Sequence, residues 1–209
     1  MTPQRPIPLP VKCAYSAFMA VLLPVYLYYY GPTNFLYVCD FALLLTLIGI
    51  WTEKPLLVSM PLVGIGALQM LWVADYIFNL AGISLTGLTD YMFEQHRSKF
   101  LRGLSLFHAW LPFLLIFLVF RTGYDRRALA AWIAASWALI LICFFFMPPA
   151  QQNPGLMPVN INYVWGPSDF VAQTWVPQPV WIAGLMFLLP LVAYLPVHLL
   201  LMRFAPRAR

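Results

Sequence analysis

A chain of 209 residues that is 62% hydrophobic and 9% charged has too little polar surface to coat a water-soluble domain, which averages about 45–50% apolar and about 25% charged residues. The composition excludes a soluble enzyme and a nucleic-acid-binding module. The net charge of +5 comes from basic residues at the ends of apolar runs, where they report orientation in a bilayer. At about 20 apolar residues per span, the chain has room for about five to seven transmembrane helices and none for a separate soluble domain, so residues 1–209 read as one helical domain.

In chain order, the segment MTPQRPIPLPVK leads into a first apolar run over 13–30. A signal peptide begins similarly, but this run continues through YLYYYGPTN with no small-residue cleavage site, so it is expected to be a retained span. Gly31-Pro32-Thr33 turns the chain into a second run, 34–52, and Thr52-Glu53-Lys54-Pro55 separates that from a third, 56–80. A mixed segment, 81–103, follows. Its alternation of apolar and charged positions predicts a short amphipathic helix in the interface. The fourth and fifth runs, 104–121 and 128–147, flank RTGYDRR. Residues 148–178 carry six prolines, one charge (Asp169) and the aromatics Tyr163, Trp165 and Trp175. That composition predicts an ordered flap resting on the bundle at headgroup level. A sixth run, 179–203, ends beside Arg203. Cys13, Cys39 and Cys143 have no metal-type spacing; Cys39 and Cys143 are expected near one face as small buried hydrophobes.

Charge orients the expected bundle. With six spans, Arg5, Lys12, Lys54, Arg121, Arg126, Arg127, Arg203, Arg207 and Arg209 share one side, against Arg97, Lys99 and Arg102 on the other. Nine against three predicts both termini in the cytoplasm and two long outward-facing loops. A five- or seven-span arrangement would split the basic tails across the membrane. The expected setting is a bacterial cytoplasmic (inner) membrane.

Within these runs, Asp40, Asp75 and His108 are ionisable groups where a bilayer penalises charge by several kcal/mol. At about 1.5 Å per residue, Asp40 lies roughly 9 Å inside the outer end of its run. Asp75 lies almost across the membrane from Lys54, and His108 about one turn inside its run. All three converge on the outer leaflet. Helical spacing adds Tyr37, Trp72, Asn79 and Ser105 to the same faces. Asn160, Asn162, Tyr163 and Trp165 of the flap are expected to close over them, with Asp90, Glu94 and His96 in reserve. His198 belongs to the opposite end and is expected to reach for the interface.

Each residue also has a plain structural reading. An intramembrane Asp can hold two helices together by hydrogen bonding. His108 can be an interfacial hydrogen-bonded histidine and Ser105 a packing residue; Asn160 and Asn162 can cap turns, and Trp165 and Trp175 can be belt residues.

The sharper reading makes Asp40, Asp75 and His108 a general acid–base set, since two carboxylates in low dielectric favour one proton held between them. The substrate would be a lipid or isoprenoid, with Tyr37, Trp72, Asn79, Ser105, Asn160, Asn162, Tyr163 and Trp165 binding it. The same three residues could ligate a metal such as Zn²⁺ or non-haem iron. No HExxH, HxxxH, GxSxG, P-loop or dinucleotide motif is present, which weakens the metal reading and leaves the cofactor unknown.

The segments GPTNFLYVCDFALLL, LSLFHAWLPFLLIFLVFRTGYDRRAL and NINYVWG resemble those of an uncharacterised family of bacterial multi-span proteins described as membrane-associated. The resemblance runs from residue 31 to about 170. It implies a multi-span bundle and no particular activity. An Asp, a Ser and a His in a helical bundle are also similar to intramembrane hydrolases related to alkaline ceramidases, although their paired-histidine motif is reduced here to His198 alone. Small membrane-bound terpene cyclases are similar in size and in using acidic residues, without a motif match. Three functions therefore compete: an enzyme acting on a lipid or isoprenoid, a non-catalytic subunit of a membrane complex, and a proton- or cation-coupled transporter. The last would place its site at a broken helix near the midplane, for which Pro61, Gly64, Gly66, Pro190 and Pro196 are the available breaks.

Overall fold

The computed structural model describes residues 6–94, 97–153 and 155–208. His96 of the reserve set, and Arg5 and Arg209 of the charge count, lie outside the described residues. The chain is all-helical there. α1 (Leu9–Tyr29) leads through a 3₁₀ turn (Pro32–Leu36) to α2 (Val38–Thr52) and α3 (Pro55–Leu80). α4 (Lys99–Ser105) and α5 (Phe107–Thr122) follow, then α6 (Ala128–Phe146), α7 (Gln178–Leu189), one π-helical turn (Pro190–Tyr194) and α8 (Leu195–Phe204).

Among the described residues, five stretches are long and apolar enough to cross a membrane: α1, α3, α4–α5 together, α6, and α7–α8 together. Their outward faces are as apolar as their inward ones. Phe145, Phe146, Phe187 and Leu188 all stand exposed, a pattern that water would penalise and lipid would not.

The expected second span is the exception. Pro32 and Thr33 start a 3₁₀ turn rather than a helix, and α2 proper has 15 residues, about 22 Å of rise against about 30 Å of hydrocarbon. Its first turn lies under loops, where other parts of the chain satisfy its backbone. The amphipathic helix expected over 81–103 is also absent from the described residues. A 3₁₀ turn at Asp90–Met92 stands there, and regular helix resumes at Lys99.

One end of the bundle, the proximal end, gathers both described chain ends. Glu53, in a left-handed conformation that closes α2, binds Lys12 at 2.5 Å and accepts from the Ile7 amide at 3.2 Å. Arg121 donates to the Pro6 carbonyl, and the Asp125 amide donates to Ser59 Oγ. The tail pairs with the α5–α6 loop: Tyr124 N donates to Pro206 O, and Ala208 N to Tyr124 O. His198 does not reach for the interface. It is buried and shares a hydrogen bond with the Tyr124 hydroxyl.

α3 is the hub, with 61% of its apolar window buried against 22% for α1 and α7–α8. It packs on α2, α5, α6 and the π turn. Gly64 makes this possible, because the Trp132 indole lies directly on the α3 backbone there. Where Pro190 has no N–H to give, the Met186 carbonyl accepts instead from Trp137 Nε1 at 2.7 Å. In the loop between α6 and α7, Ile161 and Val164 are buried with Ile140, Cys143 and Ile182 in a second, smaller core.

Candidate functional site

The distal end, opposite the chain ends, carries the polar residues singled out in the sequence, but they divide into three groups. The first group surrounds Asp40. This residue sits in the first turn of α2 and is buried. Its Oδ2 accepts from Asn34 Nδ2 at 2.9 Å, while its Oδ1 is enclosed and has no partner among the described residues. Tyr26, Tyr30, Tyr37 and Cys39 all lie near this carboxyl.

Ser105 Oγ donates to the Leu101 carbonyl at 3.2 Å, so its hydroxyl proton is committed and the Tyr26 hydroxyl, 3.1 Å away, is the donor to it. His108 Nδ1 lies 2.8 Å from the Ser105 carbonyl, which can only accept. The histidine proton is therefore on Nδ1, and Nε2 keeps its lone pair. The His108 ring stacks on Trp72 at 5.1 Å, and Trp72 on Tyr76 at 5.2 Å. Tyr91 approaches Trp72, Ser105 and Tyr26 from the first long loop, and burial pushes its phenol pKa up. Arg97, which binds Glu94 at 3.1 Å and lies over the Tyr91 ring, roofs this region beside Tyr30.

The second group is built on Asp75, which is wholly enclosed and saturated. Its Oδ1 accepts from the amides of Leu85 (3.1 Å) and Thr86 (2.7 Å), and its Oδ2 from the Thr89 amide (2.9 Å) and hydroxyl (2.6 Å). This corrects the catalytic expectation on geometric grounds: every strong acceptor direction of the carboxylate is occupied by the loop it anchors. Asn79 likewise donates to Thr89 and Asp90 and holds the same loop rather than lining a pocket.

The third group fixes the flap. Asn162 Nδ2 donates to Leu36 O at 2.9 Å, while its Oδ1 accepts from Val38 N at 3.0 Å and so caps α2 from 124 residues away in sequence. The same Nδ2 lies 3.4 Å from Cys143 Sγ. Asn160 donates to Gly166 O and Ser168 O and accepts from Trp165 N. Tyr163 gives its carbonyl to Trp181, and Trp165 packs on Phe144. These four residues hold a loop in place rather than reach for a ligand. Burial lifts the Asp169 carboxyl above the usual range, against the weaker pull of the Asn160 amide and Arg97.

Among the described residues, no group of three or more His, Cys, Asp or Glu side chains stands close enough to hold a metal ion, so Asp40, Asp75 and His108 do not form a ligand set. The reason is directional. Asp75 turns to its loop, His108 stacks between rings, and Asp40 faces Asn34. What the fold links is Asp40 to Ser105 through Tyr26, and Ser105 to His108 and Trp72, with Tyr37 on the Asp40 side; Tyr26, Tyr30, Asn34, Tyr91 and Arg97, which sequence reasoning missed, complete the cluster. Two of these had a signal: Tyr26 and Tyr30 are four apart on one face of α1 and stack edge-to-face at 5.1 Å.

Comparisons with protein-family models, curated proteins and solved structures give no match to this chain.

Proposed function

We propose that this chain is a bacterial inner-membrane protein with six membrane-embedded segments, α2 being a short one, and both termini in the cytoplasm. The buried polar cluster around Asp40 at the distal end is its working site, opening to take the polar head of a lipid or isoprenoid from the outer leaflet for acid–base chemistry. The observation that carries this reading is Asp40 Oδ1: a buried carboxyl oxygen with no partner among the described residues, at the start of a helix whose backbone is capped by another loop. A buried polar atom left unpartnered is costly and calls for a functional or ligand-based explanation. In this reading Asp40 exchanges a proton with the substrate, His108 Nε2 supplies a second basic site, and Tyr26 with Ser105 orients the space between them.

The test uses the full chain reconstituted with total membrane lipid and polyisoprenoids, read by mass spectrometry. The wild type is expected to convert one lipid class. Asp40→Asn, which keeps a side-chain oxygen for Asn34, is expected to fold and lose at least about 100-fold of that turnover. Identical lipid profiles for a folded Asp40→Asn and the wild type would overturn the reading. The topology is tested separately: a Lys54→Cys variant should react with a membrane-impermeant maleimide only after lysis.

A second reading, proton- or cation-coupled transport, is favoured by one observation at mid-membrane depth. Gln69 of α3 is buried with both amide atoms unpartnered, on the helix that packs against the π turn between Pro190 and Tyr194. A broken helix beside a polar group is the arrangement transport sites use. Ion flux into liposomes, absent in Gln69→Leu, would favour it over the enzyme.

A further inference from the structure

We propose that the open hollow at the proximal end, lined by Arg126, Arg127 and Arg207, binds the phosphate group of an anionic phospholipid. The proposal rests on the reading of the chain as a membrane protein and is independent of the distal pocket. The hollow has a volume of about 330 Å³ and is completed by Tyr124, Asp125 and Ala208.

Its walls are held by specific contacts. Gly123 has φ +89, and a Cβ there would lie 2.7 Å from Ala208 N and 2.8 Å from Arg207 O. Only glycine lets the tail approach this closely. The two bonds between Tyr124 and the tail then set Arg207 against the α5–α6 loop.

The charge within it is unbalanced. Asp125 is engaged by Arg127, which contacts both carboxylate oxygens at 2.7–3.3 Å. The Arg126 and Arg207 side chains have no hydrogen-bond or ion-pair partner among the described residues. Three guanidinium groups against one carboxylate leave two positive charges facing the space. α6 starts beside it at Ala128, adding the positive end of a 19-residue helix dipole. Guanidinium groups at a helix start match the oxygens of a phosphate.

The lipid assignment comes from position and from the neighbouring surface. The hollow lies where α5, α6 and α8 end, at headgroup depth for a bundle of these helices. On the other side of the Asp125–Arg127 pair is a second hollow of about 360 Å³, lined by Lys54, Pro55, Leu56 and Leu57. A basic tip above apolar side chains suits a headgroup continuing into its glycerol and acyl chains. A soluble phosphate compound would have no use for that apolar wall. Basic pockets at such helix ends hold anionic headgroups, with roughly a fivefold gain in affinity for each Lys or Arg near the surface.

The test is native mass spectrometry of the full chain in detergent, titrated with phosphatidylglycerol or phosphatidylcholine, with and without inorganic phosphate. The wild type is expected to retain phosphatidylglycerol selectively. Arg126→Gln combined with Arg207→Gln should weaken that retention on the order of 20-fold. Arg203→Gln, exposed and outside the hollow, should leave it unchanged and controls for total charge. Equal retention by the wild type and the double variant would overturn the site. Full displacement of the lipid by millimolar inorganic phosphate would overturn the lipid assignment in favour of a soluble anion. Detergent binding does not depend on which side this end faces, so its failure and a failure of the maleimide test are read separately.

Discussion

Asp75→Asn is the most direct test of whether the distal carboxylates do chemistry or hold structure. The wild-type carboxylate accepts four hydrogen bonds, from Leu85, Thr86 and twice from Thr89, at 2.6–3.1 Å. Asparagine has the same shape but replaces one acceptor oxygen with an NH₂ that faces donors. Two charge-assisted bonds are lost at about 1.5 kcal/mol each, or about 3 kcal/mol in the stability of the loop. The loss is local, because the donors all belong to residues 85–89. Opening of that loop should become about 100-fold more frequent. Hydrogen–deuterium exchange in nanodiscs reads this directly: amides around Leu85–Thr89 should exchange about two decades faster, while α3 and α5 stay protected. Thr89→Val, which removes only the hydroxyl, should give roughly a tenfold change. Unchanged exchange in Asp75→Asn would refute the anchoring role. If lipid turnover were lost at the same time, the carboxylate would be doing chemistry after all.

Two more outcomes are expected from the packing and the charges. In Gly64→Ala, the new methyl would fall 1.7 Å from the Trp132 ring, so the indole must leave its place; a cost of about 3 kcal/mol or more is expected, seen as a lower thermal midpoint and a shifted tryptophan emission, and a variant as stable as the wild type would contradict the packing. At the proximal end, the hydrogen bond and charge of Lys12 hold the Glu53 carboxyl below its usual range. A depressed carboxylate pKa stabilises above the unfolded value and loses that contribution as pH falls through the folded one. The clasp on Ile7 and Lys12 should therefore loosen only below about pH 4. Glu53 is about one-third exposed, so the effect should be under about 1 kcal/mol. Protease access to residues 6–12 measures it, and loosening on raising the pH would contradict the assignment.

Most of the helical pattern was legible because its cause is local. Apolar runs of about 20 residues, ended by prolines and charges, gave α1, α3 and α6 to within a few residues of their observed ends. The short α2 was not legible. Phe35, Leu36 and Tyr37 continue into the apolar run without a break, and the cap that starts the helix at Val38 comes from Asn162 in the far flap. The proline pair Pro190 and Pro196 announced a break, but its form as a π turn depends on α3 packing against it. The depth argument could only count residues along each helix, and Asp40, Asp75 and His108 turn to different partners.

Depth along an axis is one-dimensional, and a site is not. Which way Asp75 points is decided by Thr89, 14 residues on, and which proton His108 carries is decided by the Ser105 carbonyl. The sequence by itself determined that this chain is a bundle of apolar helices, because hydropathy and chain punctuation act within one segment. Only the tertiary structure decided that Asp75 is an anchor and that Asp40 has an unpartnered oxygen. Hydrogen-bond satisfaction depends on donors that arrive from distant parts of the chain.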